Sequence, residues 1–294
     1  MKLAWKTPTL ASAAYAGRAL RRGERTDAAD VSTSLVREAT DFQAALRQTN
    51  LPTAKFWDEL VAWSALAETR RAAVERTIRR SAQLPFAPFD LTLEFDGRFG
   101  RIERELATLR PRLGEELPLR VRPIREAWET VGPGLLRSVE NLTEPGLLVG
   151  EATVVVVHPF TGGGGSSHLA TDSVAWEGML AHPHPELPET LRLAWMLSQL
   201  GLDVPRYEQE LEEEDVERIA ALAMLPATLA AGEELELVRC DEATVARALE
   251  LWGLLDSHRE RAAEALLAWW DAYQERRPPW ETALVALEQI MPVA

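Results

Sequence analysis

Residues 152–157 read Ala-Thr-Val-Val-Val-Val, and the loop after them reads His158-Pro-Phe-Thr-Gly-Gly-Gly-Gly-Ser-Ser-His168. An unbroken run of apolar, mostly β-branched side chains is typical of a strand that is buried on both faces. The run stops at a glycine-rich segment, and a second largely apolar stretch follows at 173–181. This part of the chain predicts two strands of one buried sheet.

Two earlier stretches alternate apolar and polar residues. Residues 89–95 read Phe-Asp-Leu-Thr-Leu-Glu-Phe, and residues 117–122 read Leu-Pro-Leu-Arg-Val-Arg. A period of two predicts half-buried strands. We therefore expect a small sheet with strands near 89–95, 117–122, 152–157 and 173–181.

Most of the remaining chain has the apolar spacing of helices. The predicted helices lie at 53–82, 102–109, 123–142, 188–201, 207–225, after a cap at Asp241, at 256–276 and at 280–290. The fold class is therefore a predominantly helical α+β domain, in which helices pack on the small sheet and the C-terminal half is helical.

The sequence also suggests how the chain is divided into segments. Residues 1–30 carry no apolar run long enough for a signal peptide, and we expect them to be a loosely ordered leader. Residues 31–294 are expected to form one domain. A change of composition near 201–206 allows a subdivision into a sheet-containing core and an acidic helical C-terminal part.

Charge is divided unevenly along the 294 residues, which have a formal net charge of −14. Residues 1–150 have a net charge of +3, whereas residues 151–294 have a net charge of −17. An acidic surface repels phosphate backbones, so we expect no nucleic-acid partner. No apolar run is long enough to span a membrane.

The basic residues of the first half include one cluster of arginines. Its members are Arg70, Arg71, Arg76, Arg79 and Arg80. We interpret them as a solvated helix face that docks on the acidic half, and a phosphate-binding face is the alternative. The single cysteine, Cys240, excludes an internal disulfide and a zinc site with several cysteines, and it fits a cytoplasmic protein.

Four of the five histidines lie within 27 residues. In the segment His182-Pro-His184-Pro-Glu186, two imidazoles and a carboxylate share one side of an extended chain, as metal ligands do. His182, His184 and Glu186 are therefore candidate ligands for zinc or another divalent metal. The alternative is a polar loop in which the histidines are caps.

The glycine-rich loop has the chemistry of an anion site, because backbone N–H groups in such loops can cradle a negative charge. Its candidate ligand residues are His158, Thr161, Gly163, Gly164, Ser166, Ser167 and His168. No lysine follows Gly165, as a nucleotide-binding P-loop requires, and no GxSxG motif marks a hydrolase nucleophile. The alternative is a plain connection between strands.

The order of elements from about residue 123 to 200 carries a resemblance. A helix, a buried strand, a glycine-rich loop, a second strand and a helix opened by Pro188-Glu189 resemble the catalytic core of zincin-type metallopeptidases. The chain also resembles uncharacterised bacterial proteins, which imply no function. The zincin resemblance implies an edge strand that borders a substrate cleft, and a next helix that carries the HExxH motif.

In this chain the motif positions hold other residues. Leu193 and Leu197 stand where the two zinc-binding histidines would be, and Ala194 stands where the general-base glutamate would be. Leucine cannot bind zinc, and alanine cannot take a proton from water. The resemblance therefore implies a degenerate, inactive relative that lacks HExxH.

We therefore expect a non-catalytic pseudoenzyme with a structural or partner-binding role, no resident cofactor, and a protein partner that contacts the acidic C-terminal half. The alternative is a metal-dependent hydrolase built from the 158–168 loop and the His182/His184 segment. In that enzyme His158 or His168 would be the general base or a metal ligand, and glycine N–H groups would stabilise an oxyanion.

Overall fold

The computed structural model describes residues 1–23, 32–179, 184, 186–202, 213–255 and 258–291. Within these ranges the helices are α1 (Thr9–Arg22), α2 (Thr33–Arg47), α3 (Thr53–Leu66), α4 (Arg70–Ser81), α5 (Phe89–Leu109), α6 (Leu113–Leu142), α7 (Glu189–Ser198), α8 (Glu213–Glu234), α9 (Glu242–Leu251), α10 (Arg259–Arg276) and α11 (Trp280–Ile290). The strands are β1 (Lys2–Lys6), β2 (Glu151–Val157), β3 (Gly165–His168) and β4 (Ser173–Glu177). The predicted class, predominantly helical α+β with a small sheet, is confirmed.

The four strands form one mixed sheet in the order β1-β2-β4-β3. β2 pairs in parallel with β1 on one side and with β4 on the other, and β3 is an antiparallel edge strand on β4. The predicted strands at 152–157 and 173–181 are thus present, although β4 ends at Glu177. The buried position of β2 explains its unbroken run of valines.

The valines of β2 divide the hydrophobic core into two clusters. Val155 and Val157 belong to the N-terminal cluster, which is formed with α1–α5 and the start of α6. Val154 and Val156 belong to the C-terminal cluster, which is formed with the rest of α6 and with α7–α11. Helices therefore cover both faces of the sheet.

The C-terminal cluster continues across the proposed subdivision near 201–206. It contains Leu191 and Leu197 before that point and Ile219 and Leu266 after it, all of them fully buried. Residues 203–206 themselves lie outside the described residues. The helices after them share a core with α7 rather than form a separate one.

The prediction of a loosely ordered leader is wrong for residues 2–22. Lys2–Lys6 pair with Glu151–Val155, and the Lys2 N–H donates to the Gly150 carbonyl at 2.7 Å. α1 then buries most of its length, because its small alanines allow close packing on α3. The pairing partner of β1 lies about 150 residues away in sequence, so no local pattern indicated it.

The strands predicted at 89–95 and 117–122 are also wrong, because both stretches are helical. In α5 the buried residues Phe95, Phe99, Ile102 and Leu106 follow a helical spacing, whereas Phe89 is 62% exposed. A longer helical period therefore overrides seven residues of alternation.

In the second stretch, Leu119 is 74% exposed while Leu117 is buried, so its apolar residues do not share one face as a strand requires. α6 also runs unbroken through Pro118, Pro123 and Pro133, and it begins ten residues before the predicted helix at 123–142.

Other helix predictions differ from the structure in three places: α2 lies where no helix was predicted, the helix predicted at 207–225 extends to Glu234, and one predicted helix is divided. The predicted helix at 53–82 is two helices, α3 and α4, and the Thr69 side chain caps α4 by accepting from the Ala72 N–H at 3.1 Å. Asp241 caps α9 as predicted, by accepting from the Thr244 N–H at 2.9 Å. In the part of the chain that the structure describes, no helix combines the length and the apolar character needed to cross a membrane.

Two glycines test the packing of α1. A Cβ at Gly17 would lie 2.4 Å from the buried Trp57 ring, whereas a Cβ at Gly97 in α5 would meet nothing within 4 Å. We expect Gly17→Ala to lower the free energy of unfolding by roughly 1–3 kcal/mol through overpacking. Gly97→Ala, the matched control, should raise it by about 0.5–1 kcal/mol through helix propensity. Urea unfolding measures both, and a stabilised Gly17→Ala variant would show that α1 does not pack there.

Candidate functional site

The glycine-rich loop begins against α1. The His158 N–H donates to Ser12 Oγ at 3.1 Å, and the His158 ring meets the Phe160 ring edge-on with centroids 4.9 Å apart. His158 is 6% exposed. His158, a candidate general base or metal ligand, is therefore a packed residue at the point where the loop begins.

The loop does cradle an anion, and that anion is the chain's own Glu177. The Glu177 carboxylate is fully buried at the end of β4. Its Oε1 accepts from the Thr161 N–H at 2.8 Å. Its Oε2 accepts from Thr161 Oγ1 at 2.9 Å and from the N–H groups of Gly163 and Gly164, both at 2.8 Å. The donors that the sequence offered to a ligand are used within the fold.

Arg192 of α7 binds the backbone carbonyl groups of the same loop. Its Nη1 donates to the carbonyls of Gly163 and Gly164. Its Nη2 donates to the Glu177 carbonyl at 2.9 Å and to the Glu189 carboxylate. Arg192 is 3% exposed, and a buried charge of this kind is tolerated only when it is hydrogen-bonded and paired. The loop, the end of β4 and the start of α7 form one network.

Sequence reasoning missed Glu177 and Arg192, although one signal was present. Glu177 is the only charged residue in the apolar stretch 173–181. A carboxylate in a buried strand needs several donors. The nearest donor-rich segment in the sequence is the glycine-rich loop, so the two could have been paired in advance.

The three polar side chains of β3 point in two directions. Ser166 Oγ and His168 Nε2 lie 3.0 Å apart, because residues two apart on a strand share a face. Ser167 faces the other way and donates to the Met196 carbonyl of α7 at 3.0 Å. The structure thus brings Ser166 and His168 together and gives Ser167 a structural contact.

His168 also faces a cavity of about 660 Å³. Its walls come from α3, the end of α4, the turn after β3 and the start of α8, and its charged lining residues are Lys55, Asp58, Glu59, Arg80 and Glu217. Among all of these, the sequence motifs indicate only His168 as a candidate ligand or base. Arg80 was singled out only as a member of the arginine cluster, and the other members were missed because separate segments of the chain supply them.

Burial and charge shift the pKa values around this cavity. Burial lowers the pKa of His168 to about 4; the nearby Asp58 opposes this change, and Arg18 and Arg22 add to it. Burial raises the pKa of Asp58, but the same two arginines outweigh it and hold that pKa below its usual value. Arg18 Nε lies 2.5 Å from Asp58 Oδ1. At neutral pH the cavity therefore presents a neutral imidazole and an ionised, arginine-paired carboxylate.

The second histidine segment, which includes His184 and Glu186, makes contacts that are separate from those of Ser166 and His168. His184 Nδ1 lies 3.9 Å from Glu186 Oε1, and the Arg247 guanidinium of α9 lies 3.4 Å from His184 Nδ1 and 3.7 Å from Glu186 Oε1. A guanidinium beside both candidate ligands repels a metal cation. His182 lies outside the described residues. Among the described residues, no three His, Cys, Asp or Glu side chains are grouped so that they could hold a metal ion.

The three positions that would carry HExxH are core positions in this chain. Leu193, Ala194 and Leu197 are all fully buried in the C-terminal cluster. They contribute packing to α7 and present no group to a cleft.

The arginine cluster makes its contacts within the N-terminal helices. Arg70 pairs with Asp96 at 2.7 Å and with Glu103 at 2.8 Å, both on α5. Arg76 lies over the Trp63 ring, 5.2 Å from its centroid. The interpretation that this cluster docks on the acidic half is therefore wrong for these two arginines. A cleft of about 420 Å³, here called the arginine cleft, is lined by Trp63, Arg76, Arg79, Arg80, Gln83 and Leu84.

No protein-family model matches this sequence, and neither a curated protein nor a solved structure matches it. Its function has to be inferred from the geometry of the chain itself.

The Glu177 network predicts a large effect of one isosteric change. In Glu177→Gln an amide NH₂ replaces one carboxylate oxygen and faces N–H donors, so we expect the free energy of unfolding to fall by roughly 2–4 kcal/mol. Glu115→Gln, whose side chain is 75% exposed on α6, is the control and should change it by less than about 0.5 kcal/mol. Urea unfolding at pH 7 measures both, and equal stability of the two variants would contradict the network.

The low pKa of His168 predicts a slope in stability against pH. The unfolded imidazole has a pKa near 6.5 and the folded one about 4, so the unfolded state binds the proton more tightly. Stability from this group is complete above pH 6.5 and is lost as pH falls towards 4, by roughly 3 kcal/mol in total. We expect His168→Gln to unfold in urea with a shallower dependence on pH over this window. An NMR titration midpoint near 6.5 for His168 would refute the burial argument.

Proposed function

We propose that this protein is a non-catalytic binding protein that acts through a protein partner, on a scaffold that resembles a degenerate metallopeptidase. One observation carries the proposal: Glu177 occupies the N–H groups of Gly163 and Gly164 that an enzyme would need for an anion or an oxyanion. To free these donors the chain would have to leave a buried carboxylate without them, which costs several kcal/mol.

The arrangement of β3 and α7 supports the scaffold part of the proposal. The resemblance implies an edge strand beside the helix that would carry the motif, and β3 is an edge strand whose Ser167 bonds to Met196 of α7. The burial of Leu193 and Leu197 fits a scaffold whose motif positions serve packing. We therefore propose that the protein is a pseudoenzyme rather than an active peptidase.

The proposal includes a cytoplasmic, reducing setting, in which the single cysteine, Cys240, is a free thiol. Burial raises the pKa of the Cys240 thiol to about 12, and Glu233 and Asp241 add to the rise. A thiol with so high a pKa stays protonated, and it offers no thiolate nucleophile to a redox reaction. Cys240 is therefore assigned a structural role.

A second candidate function rests on the 3.0 Å contact between Ser166 Oγ and His168 Nε2. A serine hydroxyl within hydrogen-bond reach of an unprotonated imidazole is the first requirement of a hydrolase nucleophile. Asp58 lies close enough to raise the pKa of that imidazole. The candidate ranks second because the neighbouring glycine N–H groups, its natural oxyanion donors, are bonded to Glu177.

A chemical probe separates the two functions. We expect untagged protein to show no labelling of Ser166 by a fluorophosphonate, no stoichiometric metal by native mass spectrometry, and no turnover in a panel of ester and peptide substrates. Ser166→Ala is the matched control for labelling, and His184→Ala is the control for metal.

Two results would overturn the non-catalytic proposal. One is labelling that disappears in Ser166→Ala. The other is about one zinc per chain together with a turnover that His184→Ala abolishes. Either result would favour the hydrolase.

A further inference from the structure

The connection between α4 and α5, together with the start of α5, exposes an unusual concentration of apolar side chains. Leu84, Phe86, Phe89 and Leu93 are four of the eight large hydrophobic side chains that are exposed in the described part of the chain. Phe86 is 74% exposed. Exposed apolar side chains that lie together, rather than singly, are typical of binding surfaces.

This connection runs back along α4, so the apolar residues lie beside the arginines. The Leu84 N–H donates to the Arg79 carbonyl at the end of α4, at 2.8 Å. At the other end of α4, the Arg71 guanidinium lies 5.0 Å from the centroid of the Phe89 ring. Leu84 also lines the arginine cleft. We call Arg71, Arg76, Arg79, Leu84, Phe86 and Phe89 the α4 surface.

The arginines of the α4 surface differ from their structural neighbour Arg70. Arg70 has two carboxylate partners on α5. In contrast, no carboxylate among the described residues forms an ion pair with Arg71, Arg76 or Arg79. α4 carries five arginines and one carboxylate, Glu75, so it is locally basic on a chain whose net charge is −14, and an anionic group would complement it.

We infer that the α4 surface is the docking site for an acidic peptide segment of a partner protein. This inference rests on the proposed partner-binding function and gives that partner its chemistry. Carboxylates of the segment pair with the guanidinium groups, which match them in bidentate geometry, and an apolar side chain packs on Phe86. The concave arginine cleft holds a side-chain carboxylate of the partner, which a flat lipid surface would not supply.

The length of α4 sets the spacing of the acidic residues. Arg71 and Arg79 are eight residues apart on a helix, which is about 12 Å along its axis. An extended peptide covers that distance in about four residues. The segment therefore carries two acidic residues three or four positions apart, with a large apolar residue between them.

A display selection tests this inference. A yeast-display library of random 12-residue peptides is sorted against the full chain, and selected peptides are synthesised and measured by fluorescence anisotropy. We expect selected peptides to carry the acidic–apolar–acidic pattern and to bind more weakly as ionic strength rises. Arg76→Gln/Arg79→Gln should weaken binding by about tenfold or more, and Phe86→Ser should weaken it several-fold.

The matched control is Arg122→Gln/Arg125→Gln, which removes the same charge from exposed positions of α6. It should change the affinity by less than about twofold. Circular dichroism and the thermal midpoint confirm that each variant is folded.

The remaining outcomes overturn the inference. Selected peptides that bind Arg76→Gln/Arg79→Gln unchanged would place the partner on another surface, while the partner-binding function itself would stand. Sedimentation with phosphatidylserine vesicles that this variant abolishes, without acidic peptides, would make the occupant a membrane. Self-association that this variant abolishes would make it a second copy of the chain. Selection of no peptide at all would also refute the docking site, whereas the proposed function is judged separately by labelling and metal content.

Discussion

The alternation of valines along β2 is the constraint on which the rest of the structure depends. Because successive side chains of a strand point to opposite faces, Val155 and Val157 belong to one hydrophobic cluster while Val154 and Val156 belong to the other. This seven-residue strand therefore contributes side chains to the cores of both helical layers. The parallel strands β1 and β4 pair with it on its two sides. The layer built from α1–α5 carries the arginine cluster, and residues 151–294, which supply most helices of the other layer, have a net charge of −17. The cavity that His168 faces and the arginine cleft are both lined largely by residues of α3 and α4.

In the Glu177–Arg192 network, backbone groups of a kind that could bind a ligand stabilise the fold instead. Glycine N–H groups surround a carboxylate, as they would surround a bound anion, but the carboxylate is covalently part of the chain. Each of the two buried charges is held by several hydrogen bonds, the Glu177 carboxylate by the loop and the Arg192 guanidinium by backbone carbonyls and by Glu189. The consequence for function is that the N–H groups of Gly163 and Gly164 are already occupied and are not free to bind a ligand. The α4 surface lies outside this loop and combines Arg79 of the arginine cluster with Phe86, which no sequence motif indicated.

Local periodicity predicted some elements well and failed at others for a definable reason. β2, the cap at Asp241 and the last helix depend on neighbours within a few residues, and their patterns agree with the structure. The seven residues from Phe89 alternate as a strand would, yet they are helical, because the buried Phe95 and Phe99 continue a helical period beyond the window in which alternation is visible. Within that short window both periods are compatible with the residues, and only the packing of α5 against α2 and α4 decided between them.

The amino-acid sequence by itself determined the helical α+β class, the buried strand β2, the anion-cradling chemistry of the glycine-rich loop and the absence of zinc-binding side chains at Leu193 and Leu197. The tertiary structure alone decided that residues 2–6 are a strand, that Glu177 fills the loop, that Ser166 contacts His168, and that Arg71 and Arg79 lie beside exposed apolar side chains. The physical reason is the range of the interactions. Helical and strand periods and caps are set by residues close in sequence, whereas the partner of a buried carboxylate, an edge strand or an arginine is chosen by whichever distant segment the fold brings within hydrogen-bond or packing distance.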